Sequence, residues 1–297
     1  MQTGKIIKSI SGFYDVATAD GNVTRTRARG NFRKKKVKPI VGDIVDFENE
    51  YVLAIHKRKN EIVRPLIANV DQALIVISAV QPDFSDNLLD RFLVTLESQK
   101  IKPLIYLSKT DLLTDDQLGK LKKYQKYYQA IGYHFYFANE VHQHPETLMN
   151  DLQSSETVLA GQTGAGKSTL LNYLIPDLNL ETNEISASLN RGKHTTRQVT
   201  LYPYKSGLIA DTPGFSSLDF NNISNTELPN LFVEFKRLSI NCKFRSCLHI
   251  NEPQCAVKTA LKQGEILKSR YDNYLQFHEE INHIRPVYKK TSKKWRD

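Results

Sequence analysis

The sequence predicts a multidomain chain: a small N-terminal β-barrel, a central α/β domain on a parallel sheet, and a C-terminal α-helical module. Three observations carry this. Residues 1–65 alternate apolar and polar side chains between turn residues. From Asn69 onward, short apolar runs each end in a polar or glycine-rich loop and alternate with helical stretches. After Leu218 the strand signals stop. The length of 297 residues accommodates about two to three domains, placed here at 1–67, 68–220 and 221–297.

Composition excludes some classes. Hydrophobic residues make up 40% and charged residues 25%, as in ordinary globular chains. No apolar run approaches the ~20 residues of a membrane span. The opening MQTGKIIKSI lacks the apolar core and cleavage site of a signal peptide. A cytoplasmic chain with no membrane partner is expected. The formal net charge of +9 is concentrated in two places. VTRTRARGNFRKKKVK at 23–38 holds no acid, and the tail RPVYKKTSKKWRD holds one. Basic segments of this kind suit a polyanion, nucleic acid before membrane, although a solvated loop and tail would carry the same charge.

In the first segment, KIIKSISGFYDVAT, NVTRTRARG, DIVDFEN and YVLAIHKRKNEIVRP read as strands, with turns at Gly21-Asn22 and Gly42-Asp43. Roughly four or five short strands fit a small barrel of the OB type, which periodicity alone does not separate from an SH3-like one. In TRTRARG the arginines recur every second residue and share one face. Arg25, Arg27, Arg29, Arg33, Lys34, Lys35 and Lys36 are the candidate RNA contacts, with Phe13, Tyr14 and Phe32 as nearby aromatics. The plainer alternative is an edge strand kept soluble by charge.

The second segment carries the phosphate chemistry. Gly161, Gly166, Lys167 and Ser168 satisfy G-x4-G-K-[ST] between the strand ETVLA and the helix STLLNYL. Glycines at these positions let the backbone N–H groups of Gly161, Gln162, Thr163, Gly164, Ala165 and Gly166, with Lys167, Ser168 and Thr169, curl around phosphates at a helix N-terminus. Lys167 is placed to reach the β- and γ-phosphates and Ser168 to ligate Mg²⁺. GLIADTPG ends another strand at Asp211, whose carboxylate supports Mg²⁺, while the Gly214 N–H is offered to the γ-phosphate. Between these two motifs lies the polar loop RGKHTTRQV, with Thr195 and Thr196 as candidates to close on the metal and Thr196 favoured.

SKTD, Ser108 to Asp111, follows the strand KPLIYL. It looks like the Asn-Lys-x-Asp loop with which GTP-binding proteins read guanine. Asp111 would accept from guanine N1–H and the exocyclic amine, which adenine cannot offer. Lys109 would lay its stem along the base beside Thr110. Ser108 replaces the usual Asn, so the tie from the base loop to the phosphate loop is expected to be shortened or lost. FANE at 137–140 is a candidate to touch the base through backbone N–H groups. The base loop precedes the phosphate loop, the reverse of the usual order. A parallel sheet can be cut at one surface loop and rejoined through its nearby ends, so a circularly permuted GTP-binding domain is expected.

In the third segment, ISNTELPNLFVEFKRLS and QCAVKTALKQGEILKSRYDNYLQFHEEINHI read as helices flanking NCKFRSCLHINEPQC. Cys242, Cys247, His249 and Cys255 include every cysteine of the chain. An odd cysteine count argues against a disulfide framework. Three thiolates and an imidazole make a closed tetrahedral site for one structural Zn²⁺.

Taken together, GQTGAGKST, KHTTR, DTPGF, C-x4-C-x-H-x5-C and the motif order resemble the ribosome small-subunit-dependent GTPase A (RsgA) family over essentially the whole chain. The resemblance implies an OB domain, a circularly permuted P-loop GTPase domain with Mg²⁺ and GTP, and a zinc domain. It implies GTP hydrolysis to GDP and phosphate, stimulated by the small ribosomal subunit and its rRNA, during late maturation of that subunit. Phe215 stands after DTPG, where many GTPases place a water-orienting glutamine nearby. The family is thought to use the histidine before the paired threonines, here His194, and Lys193 before it fits the pattern. Lys167, Thr196 and His194 are therefore the candidate catalytic groups. A monomer is assumed. Two rival readings remain: an RNA-binding assembly factor whose nucleotide site acts only as a release timer, and a P-loop small-molecule kinase. The kinase would need a substrate lid that the sequence does not clearly show.

Overall fold

The computed structural model describes residues 1–30, 32, 37–63, 65–178, 180, 199–212 and 219–284. The chain divides into two compact units, Met1–Leu218 and Asp219–Asp297.

The first unit begins with a closed barrel of β1 (Gln2–Ile10), β2 (Phe13–Ala17), β3 (Val23–Ala28), β4 (Ile44–Glu48) and β5 (Tyr51–Ile55). Neighbours run β1-β2-β3-β5-β4 and back to β1, all antiparallel except β3 with β5. This order is the OB arrangement, and it decides what alternation could not. Ser11 and Gly12, both at positive φ, close the β1–β2 hairpin in the turn that matches strand twist. Inside lie Ile6, Tyr14, Val16, Val45, Phe47 and Val52, all buried. Gly42 is required for more than its turn: a Cβ there would meet the Ala68 carbonyl oxygen at 2.0 Å.

After a small ribbon of β6 (Glu61–Ile62) and β7 (Ile67–Ala68), the parallel sheet starts at β8 (Gln72–Ser78). It continues through α1 (Asp86–Ser98), β9 (Lys102–Ser108), α2 (Asp115–Ala130), β10 (His134–Phe137), α3 (Ala138–Gln143), α4 (Pro145–Leu152), β11 (Glu156–Ala160) and α5 (Lys167–Leu174). The antiparallel hairpin β12 (Thr200–Tyr204) and β13 (Gly207–Asp211) completes it. Helix starts are written locally: Ser85 caps α1, and Thr114 with Gln117 forms a capping box on α2. β8 and β9 are buried along nearly their whole length, as expected for strands covered on both faces.

The strand order is β10-β9-β8-β11-β13-β12. Chain direction across the sheet reverses between β8 and β11, so their carboxyl ends frame the crevice where ligands of such sheets bind. The sheet does not stop at β12. Lys8 of β1 pairs with Thr200, so the barrel and the parallel sheet form one continuous eleven-stranded sheet. Lys5 on β1 also meets the Glu156 carboxylate at the root of β11.

The second unit contains a 3-10 turn (Leu228–Leu231), α6 (Val233–Ser239), α7 (Ala256–Lys262) and α8 (Lys268–His283). The two helices expected from sequence are thus broken. Pro229 sits in the first turn of the 3-10 segment, and Gly264 at φ +77° separates α7 from α8. Phe232, Phe235, Tyr274 and Phe277 form its core, crossed by an ion pair of Arg270 with Glu234, each 1% exposed. No helix of the described residues is long and apolar enough to cross a membrane.

Candidate functional site

β11 delivers the chain into the phosphate loop at Gly161, where φ is +138° and a Cβ would strike the Val76 carbonyl oxygen at 2.1 Å. No other residue fits there. Gly164 and Gly166 also take positive φ, and Gly166 caps α5. Ala165 is buried beneath the loop, whereas Thr163, Gly164 and Thr169 are exposed and Gln162, Gly166, Lys167 and Ser168 half-buried. The Lys167 ammonium donates to the carbonyls of Gly161 (2.7 Å) and Gln162 (2.8 Å). It is therefore folded across the mouth of the loop, where phosphate oxygens could replace those carbonyls.

Asp211 ends β13 beside this loop. Burial pushes its carboxyl up from the ordinary value, and the Lys167 ammonium draws it back down. The Thr212 hydroxyl, fully buried, donates to the Leu159 carbonyl at the end of β11, which fixes this strand end against the phosphate loop. Gly214, Phe215, Lys193, His194, Thr195 and Thr196 lie outside the described residues.

SKTD stands at the carboxyl end of β9. Lys109 takes a left-handed conformation (φ 56°) and its ammonium donates to the Gln81 carbonyl. Thr110 to Leu112 form a 3-10 turn, with the Asp111 carboxylate exposed. The tie expected to be shortened or lost is present and short: the Ser108 hydroxyl donates to the Ala165 carbonyl at 2.6 Å. Ser108 suffices because the two loops lie close together, its Cβ being 3.5 Å from where a Cβ on Gly166 would fall. The Thr110 hydroxyl accepts from the Asn139 N–H at 3.0 Å and so anchors FANE. That N–H is thereby committed and not free for a base. The base loop, phosphate loop and Asp211 converge at one end of the sheet, as their positions after β9, β11 and within β13 require.

In the second unit, the donor atoms of Cys242, Cys247, His249 and Cys255 all lie within 4.8 Å of one another. Nδ1 of His249 is 3.7 Å from Sγ of Cys242 and 3.3 Å from Sγ of Cys255. A tetrahedral ion with Zn–S and Zn–N bonds of ordinary length has edges of about 3.5–3.8 Å, so the cluster is compatible with a metal. Burial lowers the His249 pKa, favouring the neutral ligand form. Burial pushes the Cys247 thiol up to about 12, so thiolates here call for a cation.

On the barrel, Arg25, Arg27 and Arg29 are exposed as their alternation requires, while Thr26 between them is buried. They are not equivalent. Arg25 is held by the Asp15 carboxylate at 2.8 and 3.2 Å. The Arg27 guanidinium lies 4.4 Å from the Phe13 ring centroid, and that of Arg29 lies 6.0 Å from that of Tyr51. Tyr14 and Phe32 are corrected: both are buried, and Tyr51 on β5 is the exposed aromatic that sequence reading missed. Arg33, Lys34, Lys35 and Lys36 lie outside the described residues.

Comparison with known proteins agrees with this architecture. The family model for the RsgA GTPase matches residues 55–221, and that for the RsgA N-terminal domain matches 3–52. A small ribosomal subunit biogenesis GTPase RsgA of Streptococcus mutans is 58% identical over 98% of this chain and 99% of its own. A protein of the same description from Latilactobacillus sakei is 53% identical over 98% and 100%. The crystal structure of YloQ, a circularly permuted GTPase, superposes with a TM-score of 0.81 at 43% identity, covering 97% of each chain. YjeQ from Thermotoga maritima gives 0.83 at 31% identity, covering 96% of this chain and 99% of that one.

Proposed function

Because the chain belongs to the RsgA GTPase family and is a GTP hydrolase, we propose that it binds the small ribosomal subunit, assists its late maturation, and is stimulated by it to hydrolyse GTP to GDP and phosphate. The observation that carries this reading is the Ser108–Ala165 hydrogen bond, which makes a guanine-type loop and a phosphate loop one site. The names of the relatives supply the ribosomal partner.

In this reading Asp111 accepts from the guanine edge, and Lys109 and Thr110 hold the loop around the base. Gly161 to Thr169 cradle the phosphates with their N–H groups, and Lys167 exchanges its loop carbonyls for β- and γ-phosphate oxygens. Ser168, Asp211 and Thr196 would hold Mg²⁺, which when bound neutralises charge across the β- and γ-phosphate oxygens. Gly214 donates its N–H to the γ-phosphate. His194 orients the water that attacks in line, a role Phe215 has no polar group to take. Cys242, Cys247, His249 and Cys255 hold one structural Zn²⁺. The barrel cations Arg27 and Arg29, with Arg33, Lys34, Lys35 and Lys36, contact rRNA, while Arg25 stays on the Asp15 carboxylate. The protein works in the cytoplasm as a monomer, with no membrane partner.

The test is phosphate release from GTP with and without purified small subunits, beside an ATP control. Strong stimulation with GTP alone is expected. Equal turnover of ATP would remove the base assignment, and absence of stimulation would remove the ribosomal role. His194→Ala should bind GTP normally and lose the stimulated rate.

A further inference from the structure

We propose that the outer face of the barrel is a stacking platform for unpaired RNA bases, built from Phe13 with Arg27 and Tyr51 with Arg29. This rests on the ribosomal RNA reading above and adds the form of RNA and the place where it lies. Strand register creates the surface. Phe13 of β2 pairs with Arg27 of β3, and Arg27 pairs with Tyr51 of β5, so the three side chains form one row across three strands. Their neighbours Tyr14, Thr26 and Val52 point inward and are buried, which leaves the row facing out. Tyr51 is 44% exposed, and each ring already has a guanidinium beside it, at 4.4 and 6.0 Å.

A guanidinium over a ring offers a flat cationic plane on which a base can stack, with N–H groups left for a phosphate. Bases inside a duplex are stacked on each other and have no face to offer, so the row favours single strands or splayed loops. The next row confines the path. Asp15 pairs with Arg25 there, and its carboxylate both occupies that cation and repels phosphate. Glu48 at the end of β4 is engaged by the N-terminal ammonium at 2.9 Å. The backbone of the RNA therefore tracks over Arg27 and Arg29 and away from Arg25.

The experiment uses the full chain, a short labelled adenine-rich RNA, and the same strand annealed to its complement. Single strand should bind more tightly than duplex. Phe13→Leu together with Tyr51→Leu should lower single-strand affinity on the order of tenfold or more, leaving duplex affinity and the salt slope unchanged. Tyr51→Leu alone, at an exposed position, gives a partial loss and guards against misfolding of the double variant. Arg27→Gln should reduce the slope of log affinity against log salt by about 1, and Arg25→Gln should not. RNA binding that is equal for duplex and insensitive to both ring variants overturns the platform alone. Absence of any RNA binding by the native chain overturns the RNA reading with it.

Discussion

Replacing Ser108 by alanine isolates the contact that joins the two halves of the nucleotide site. Its hydroxyl, on a residue 6% exposed, lies 2.6 Å from the Ala165 carbonyl oxygen. Alanine removes the donor and leaves a buried acceptor without it, at a cost of about 1–2 kcal/mol, between the net value of a neutral bond and the full penalty of an orphaned group. In the nucleotide-free protein the loops can drift apart and relieve part of that penalty. Binding GDP draws them together again, so affinity should fall by up to the same amount, about 5–30-fold. The melting transition of the unit formed by residues 1–218 should drop by about 2–8 °C. A fluorescent GDP titration and calorimetry read the two effects. Unchanged affinity together with an unchanged transition would refute the idea that this bond couples the loops.

Four further outcomes follow from the structure. Asp111→Asn should lower GTP affinity on the order of 100-fold or more and admit xanthine nucleotides, whose carbonyl can accept from the new amide; competition binding measures both. Glu234→Ala removes the carboxylate partner of a guanidinium that is 1% exposed, and should destabilise the second unit by about 3–5 kcal/mol, seen as faster hydrogen exchange over residues 219–284. Burial holds His278 below the ordinary value of 6.5, so between its folded and unfolded values the unfolded chain binds a proton that the folded unit does not. Stability of the second unit is therefore full above about pH 6.5 and declines as pH falls below it, which thermal unfolding between pH 8 and 5 measures. With Zn²⁺ held by the cluster as proposed, a chelator should lower the unfolding temperature of the second unit.

The parts of the site that sequence made legible are those written in a few consecutive residues. Gly161 and Gly166 announce a loop because both take positive φ, and the cysteines with His249 announce by spacing and chemistry a cluster that could hold a metal. Motif order even gave the permutation, because each loop must follow its own strand. What stayed hidden depends on which strands meet. Tyr51 lies beside Arg27 only through the parallel β3–β5 pairing, between segments far apart in sequence. Phe13 and Tyr14 are adjacent, so alternation allows one of them outside, and only the barrel decides which. Whether the Ser108 tie is short or absent depends on how closely two loops from different strands approach, which neither loop writes in its own residues. The helix breaks at Pro229 and Gly264 were legible and were overrun by the apolar pattern around them.

The shared sheet has a consequence for how the chain is made. β1 is synthesised well before its partner in the parallel sheet, at Thr200, which emerges roughly 190 residues later. At the pace of bacterial translation this is a wait of about 10–40 s. During that time the barrel can close on β2 and β4, leaving the Lys8 edge as a finished template with a lysine to discourage other strands. The last hairpin of the nucleotide domain then arrives at an edge that is already built. A protein that would tend small ribosomal subunits thus completes its own nucleotide domain against a strand made long before it.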